Sequence, residues 1–209
     1  MTNHIFIWVA HPREASLSTG LAEAYAAGAR RTGAEVRIQG LWDMAFEPRM
    51  KGFGKDMPAL EPDLIQWQQN IAWADHIVVI HPYWWGQMPG LARAVLDRGL
   101  TPGFAFKYHA RGVKWDKLLE GRTADIVITS DTPPLLDRVF YGQPGLRVLK
   151  KQVLEFCGIK VKKALQFGSV KLAGTEKILS WKTRMEKLGA SRGREAETVA
   201  TQYETGRAA

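Results

Sequence analysis

His81-Pro82-Tyr83-Trp84-Trp85-Gly86-Gln87-Met88-Pro89-Gly90 is the stretch on which the reading of this chain turns. It follows His76 to Ile80, an apolar run bounded by polar residues, which is the pattern of a buried strand. Pro82 has no N–H to offer a ladder and marks the strand's end. Three adjacent aromatics come next, in a segment with the glycine and proline content of a loop. Loops face water, so such a cluster needs something flat to cover. Pro89 suits the first turn of a helix over Leu91 to Arg98, with Gly99 placed to cap it. A second aromatic loop follows at Gly103-Phe104-Ala105-Phe106-Lys107-Tyr108. Strand, aromatic loop, short helix, aromatic loop: the order points to a planar ring held at the carboxyl ends of a parallel sheet. Each of these aromatics taken singly is equally a core or interface residue.

Outward from that stretch, strands and helices alternate. Ile5 to Ala10 is a continuous apolar run, as a central parallel strand covered on both faces requires. Glu35 to Gln39, Arg122 to Thr129 and Lys162 to Phe167 read as further strands. Helices are expected from Leu21, Asp63 to Ala74, Leu146 to Phe156 (capped by Gly158) and Thr175 to Leu188, with a frayed polar tail from Gly189. The alternation gives an α/β fold, a doubly wound five-stranded parallel sheet, for which the order 2-1-3-4-5 is natural. Its ligand cleft would lie between strands one and three. Leu41 to Pro62 is a long irregular connection, of the kind that covers sites or subunit contacts.

After the first strand, Arg13-Glu14-Ala15-Ser16-Leu17-Ser18 leads into a helix. Helix-start N–H groups and the hydroxyls of Ser16 and Ser18 suit a phosphate. Serine before a helix is also the ordinary N-cap, and the loop alone does not decide between the two. The chain has neither the Gly-x-Gly-x-x-Gly of a dinucleotide site nor a Walker-type Gly-Lys-Ser/Thr.

Size and composition set the bounds. The chain has 209 residues, 45% hydrophobic and 24% charged, which suits one domain or a domain with a tail. No apolar run approaches the ~20 residues of a membrane span. The amino terminus runs straight into a strand with no signal-peptide pattern, so cytoplasm is the expected location. One cysteine, Cys157, excludes an intramolecular disulfide and a cysteine-based metal site, and its apolar neighbours read as core. The net charge is +8, and from Lys150 onward 13 Lys and Arg stand against 6 Asp and Glu, so +7 lies there. That excess reads first as a solvated face, and second as an attraction for a phosphorylated ligand. No pattern for reading nucleic acid accompanies it.

The run His81–Tyr108 resembles the NAD(P)H:quinone oxidoreductases of the flavodoxin-like superfamily. These carry a proline–x–tryptophan–aromatic–glycine loop after the third strand, a proline-led helix, and a loop of the type Thr101-Pro102-Gly103-Phe104-Ala105-Phe106. The likeness runs from about Ile5 to about Gly168. It implies a flavodoxin-like flavin-binding domain over residues 1–170, with a basic carboxyl-terminal helix and tail over 171–209 packed on it or extending from it. Ala10-His11, Ser16, Leu17 and Ser18 match the family's flavin-phosphate loop. Pro82, Tyr83, Trp84, Trp85 and Gly86 match its ring-binding loop. Thr129, Ser130 and Asp131 match the loop whose amides meet the flavin's pyrimidine edge, although Asp131 and Thr132 stand where the family carries glycines. Tyr141 resembles a tyrosine that stabilises the reduced flavin; the accompanying histidine of animal members has no counterpart, and Arg147 is nearest by spacing. Phe106 and Tyr108 match aromatics that reach across a homodimer to the substrate.

The activity implied is ping-pong hydride transfer from NADH or NADPH through the flavin to a quinone. The absence of an obvious adenine-binding segment leans toward FMN over FAD. Three other functions share the resemblance: a nitro- or azo-compound reductase, a flavin-binding regulatory subunit of a potassium-efflux transporter, and a flavodoxin-like electron carrier. Known carriers are typically acidic and lack the second aromatic loop, whereas this chain is basic and has one.

Overall fold

A computed structural model of the chain describes residues 3–52 and 56–205. Residues 53–55 of the long connection and the last four residues of the tail lie outside the described residues. Five strands form one parallel sheet: β1 (His4–Val9), β2 (Glu35–Gly40), β3 (His76–Pro82), β6 (Thr123–Thr129) and β7 (Lys160–Phe167), in the order β2-β1-β3-β6-β7. Counted along the main sheet alone, this is the expected 2-1-3-4-5.

The apolar runs of β1, β3 and β6 are continuous because both faces are covered. Successive residues point to opposite faces. Phe6 and Trp8 of β1 and Ile77 and Val79 of β3 enter one core layer, under α2 (Pro62–Trp73) and α3 (Gly90–Gly99). Ile5, Ile7, Val9, Val78 and Ile80 enter the other, under α1 (Leu17–Arg30) and α6 (Thr175–Thr205). Each large aliphatic side chain buried this way contributes about 1.5–3 kcal/mol. Cys157 is buried in the first layer, and burial pushes its thiol up to about 11, so it is an inert core residue.

Several boundaries differ from the sequence reading. Gly99 does not cap α3; it is the last helical residue, and a Cβ there would stand 2.7 Å from the Trp67 ring, so its role is to admit that ring. Helix α6 does not stop at Leu188. Gly189 is helical and lies against α1, where a side chain would overlap the Tyr25 carbonyl; Gly28 of α1 meets the Glu186 carbonyl in the same way. A glycine that reads as a breaker is here a seam between two helices. The second aromatic loop contains a small antiparallel hairpin, β4 (Phe106–Tyr108) with β5 (Trp115–Lys117). The helix expected over Leu146–Phe156 starts as α5 (Pro144–Arg147) and continues as a wider π-helical stretch, Val148–Leu154. Before it, α4 (Pro134–Leu136) runs into a π-helical turn, Asp137–Tyr141.

Two charged side chains inside the fold fix its outer elements. Arg98, fully buried on α3, donates to the carbonyls of Glu47 and Ala59 and pairs with Glu61 at 2.9 Å, holding the long connection down. At the amino end of the sheet, fully buried Asp125 accepts two bonds from Arg192 of α6, at 2.9 and 3.0 Å, and one from Tyr25 at 3.2 Å. His76 Nε2 stands 3.3 Å away. Burial pushes the Asp125 carboxyl up, but the adjacent His76 and Arg192 outweigh it and hold the group below its ordinary range. One outer edge of the sheet is β7, where Lys160, Lys162 and Lys163 are exposed.

Candidate active site

The carboxyl ends of β1, β3 and β6 open into a cleft of about 370 Å³. It lies where the strand order reverses between β1 and β3, the position at which open α/β sheets take ligands. Three loops form it.

The first loop joins β1 to α1. Ser16 is the N-cap: its Oγ accepts from Thr19 N at 3.2 Å and lies 3.0 Å from Thr19 Oγ1. The capping role left open in the sequence is thus filled by Ser16. Ser18 is different. Its Oγ is buried, lines the cleft and has no hydrogen-bond partner among the described residues. The Leu17 and Ser18 amides, as the first of the helix, have no acceptor one turn back. An unmatched hydroxyl beside free helix-start amides fits an anionic oxygen. His11 is tied to the same loop, with Nδ1 3.0 Å from Arg13 N and 3.1 Å from Arg13 O. The ring accepts from the amide when neutral and donates to the carbonyl when charged. Burial lowers its pKa; the bond to the Arg13 carbonyl raises it, and the Arg13 charge lowers it further.

The second loop follows β3. Pro82 is the last residue of the ladder, opposite Thr129, and Tyr83 N then donates to Thr129 O at 2.8 Å. Trp84 and Gln87 exchange both backbone hydrogen bonds, at 2.8 and 3.1 Å, around Trp85 (φ 56°) and Gly86 (φ 71°). This is a two-residue turn of the I′ type, with both central residues left-handed. Glycine accepts that conformation freely, and tryptophan is strained by it. The turn sends Trp84 into the cleft wall, 45% exposed, with its ring 6.0 Å from that of His11. It sends Trp85 entirely into solvent. The Tyr83 hydroxyl accepts from Leu146 N at 2.8 Å, and burial, with the Asp137 charge adding to it, pushes its pKa up to about 12.

The third loop follows β6 and brings Thr129, Ser130 and Asp131 to the wall. Ser130 N donates to Phe167 O, its carbonyl accepts from Val170 N, and its hydroxyl donates to Thr132 O at 2.7 Å. Asp131 Oδ1 accepts from Lys171 N at 2.7 Å. The Asp131 and Thr132 amides find no acceptor among the described residues.

The cleft therefore gathers His11, Ser16, Leu17, Ser18, Pro82, Tyr83, Trp84, Thr129, Ser130 and Asp131. It does not gather Trp85, Gly86, Phe106, Tyr108 or Tyr141. Phe106 packs edge-on to Phe156 at 5.3 Å, while Tyr108 and Tyr141 are 62% and 64% exposed. Three lining residues were not singled out in the sequence: Arg13, Ala15 and Val170. Arg13 and Ala15 stand in the quoted phosphate-type loop, and the arginine's charge was a usable signal. Val170 arrives from beyond β7, and nothing in its neighbourhood announces it. Asp137 was missed as well; it is buried in the π-helical turn with Oδ2 unpartnered.

A family model described as a flavodoxin-like fold matches residues 3–188. Among curated proteins, NAD(P)H dehydrogenase [quinone] 1 of Cavia porcellus is 26% identical, over 87% of this chain and 76% of that one. Among solved structures, an NAD(P)H:quinone oxidoreductase from Methanothermobacter marburgensis superposes with TM-score 0.73 at 21% identity, covering 91% of this chain and 98% of that one. An FMN-dependent NADH-azoreductase from Bacillus anthracis, in complex with FMN, gives TM-score 0.69 at 17% identity, covering 92% and 100%. At these identities the two structures speak to the fold.

Proposed function

The chain belongs to the flavodoxin-like fold family, and from that premise we propose that it is a flavin-dependent oxidoreductase, passing a hydride from NADH or NADPH to a quinone. The observation that carries this reading is the buried, unmatched Ser18 Oγ at the start of α1, in the same cleft as the Trp84 ring. One end suits a phosphate and the other a flat ring, and a flavin mononucleotide has both.

A flavin held there supplies the two-electron chemistry. The chain supplies the grip. Ser18 Oγ and the Leu17 and Ser18 amides take phosphate oxygens, and His11 adds a donor whose charge rises as an anion approaches. Trp84 offers its face to the ring and keeps water from it. The unpaired Asp131 and Thr132 amides offer donors to an electron-rich edge, the kind of preorganised dipole that favours negative charge. A volume of about 370 Å³ lies at the low end of the ~300–1,000 Å³ usual for small-molecule pockets and favours FMN over the larger FAD. The Bacillus anthracis azoreductase, which shares the fold and holds FMN, agrees with that choice. Oxidised nicotinamide leaving before the acceptor enters the same opening gives ping-pong kinetics.

The working form is a homodimer. Trp85, Leu135, Val139 and Phe140 are exposed apolar side chains, as is the phenol of Tyr141, and such a surface marks an interface. Phe106 and Tyr108, which stand off their own cleft, then flank the cleft of the second copy. Tyr141, on the exposed turn, acts from the same rim. Among the described residues no helix is long and apolar enough to cross a membrane.

The test is direct. The purified protein should be yellow, release a flavin whose mass is that of FMN, and reduce menadione with NADH or NADPH along parallel double-reciprocal lines. A faster rate with an azo dye than with menadione would move the acceptor to the azo class. A colourless protein that binds neither FMN nor FAD would end the oxidoreductase reading.

A further inference from the structure

We propose that Gln166 is a positioning residue for the cleft: from β7 it holds the 129–132 wall through Ser130 and, through Gln143, the turn that carries Tyr141. The proposal rests on the reading above only for the identity of the ligand.

The observations form a closed ring of hydrogen bonds. Gln166 Nε2 donates to Ser130 Oγ at 3.0 Å, and Ser130 Oγ donates to Thr132 O at 2.7 Å. Gln143 Nε2 donates to Gln166 Oε1 at 3.2 Å. Gln143 N donates to Asp137 O at 3.2 Å, and Asp137 N donates to Pro133 O at 3.0 Å, which returns the ring to the wall. Its polarity is dictated by one atom. The Thr132 carbonyl can only accept, so the Ser130 hydroxyl must donate to it and therefore accepts from the Gln166 amide nitrogen. The Gln166 oxygen is then left to accept from Gln143. No member can be reversed without leaving a neighbour unmatched.

This ring gives Ser130 a part inside the chain. Its N–H, its carbonyl and its hydroxyl are all engaged there, so it shapes the wall. The two amides that follow it are the ones without an acceptor. Their aim depends on Ser130 staying where Gln166 holds it. Gln143 supports the same view. It sits in the left-handed region at φ 52°, where glycine would be unstrained but would delete the relay. Observed strain at a residue whose side chain closes a ring behind a cleft wall points to the ring as the reason.

The decisive variant is Gln166→Met, close in volume and unable to hydrogen-bond in the same way. In the ligand-free protein, amide exchange at Ser130 and Val170, whose N–H groups donate to Phe167 O and Ser130 O, is expected to quicken about tenfold while β1 and β3 are unchanged. With FMN added, the visible absorption band should shift and kcat with NADH and menadione should fall about tenfold, with less change in KM. Gln143→Met, which acts from the far side of the relay, should reproduce the same spectral shift; it serves if Gln166→Met does not fold. Unaltered exchange at Ser130 and Val170 together with an unaltered FMN spectrum would overturn the proposal. Should the parent protein bind no flavin, the flavin reading falls, and the exchange measurement alone still decides the role of Gln166.

Discussion

The two ends of the sheet are built to opposite rules. At the amino end, Asp125 is fully buried and surrounded by Arg192, Tyr25 and His76, so each charge meets a partner. At the carboxyl end, Ser18 Oγ is buried with no partner, two amides of the third loop lack acceptors, and Trp85 occupies a strained backbone region. Both ends are made by the same strands. The closed end fastens α6 to the sheet, and the open end leaves polar groups unsatisfied where a ligand would satisfy them. Unmatched polar groups gathered around one cleft are a better sign of a binding site than the volume of a depression. A groove of about 420 Å³ beside β2 illustrates this, since Arg37, Gln39 and Asn70, which line it, hydrogen-bond one another or α2.

The contrast can be broken most forcefully at the closed end. Arg192→Ala leaves Asp125 buried without its main partner and should cost about 3–5 kcal/mol in urea unfolding. The remaining folded protein should bind FMN with unchanged affinity; a loss of affinity matching the loss of stability would join the two ends into one unit.

Acid separates the ends by window, the two losses having the same sign. Burial lowers the His81 imidazole to about 4 from 6.5, with the bond to the Pro82 carbonyl opposing only part of that. The unfolded chain takes up a proton below pH 6.5 and the folded chain does not until about 4, so stability is full above 6.5 and falls across that interval. Linkage puts the loss at about 3 kcal/mol, with His11 adding a smaller term of the same sign. His81→Leu should flatten most of this slope. Asp125 is a depressed carboxyl, whose contribution is present above its ordinary 3.8 and drains away below it. Unfolding midpoints measured from pH 7 to 3 should therefore show two separate falls, the second smaller in Arg192→Ala.

Ser18→Ala sharpens the comparison from the open end. Removing an unmatched buried hydroxyl should stabilise the ligand-free chain by about 1 kcal/mol while weakening FMN binding about tenfold. Stability and affinity moving the same way would contradict a ligand role for this hydroxyl. The smallest effect is expected from Trp85→Gly, which relieves the left-handed strain by on the order of 1 kcal/mol, raises the thermal midpoint slightly and lowers turnover through the lost interface aromatic. A lower midpoint would mean that Trp85 is not strained.

Much of this was legible in the chain itself. Continuous apolar runs announce β1, β3 and β6 because both faces of each strand are covered. Two of the three cleft loops announce themselves by residue type, Ser16 to Ser18 and Tyr83 to Trp85. What stayed hidden depends on three dimensions. No local signal shows that a tryptophan will take a left-handed turn and leave the cleft that its neighbour enters. Phe106-Lys107-Tyr108 and Trp115-Asp116-Lys117 are too short to reveal a hairpin by alternation. Gly189 reads as a terminator because its neighbour across the seam, Tyr25, is 164 positions away in sequence. The Ser130–Gln166–Gln143 relay joins residues of ordinary type that carry no signal until the fold brings them together.

The lysines of β7 bear on how this molecule behaves in company. An open outer strand is a template to which a second sheet can add, and Lys160, Lys162 and Lys163 set like charges along it. Their reach is about 8 Å at physiological ionic strength and about 3 Å in molar salt. Concentrated salt therefore strips the chain of its electrostatic spacing, and colloidal stability of the purified protein is best kept in dilute buffer.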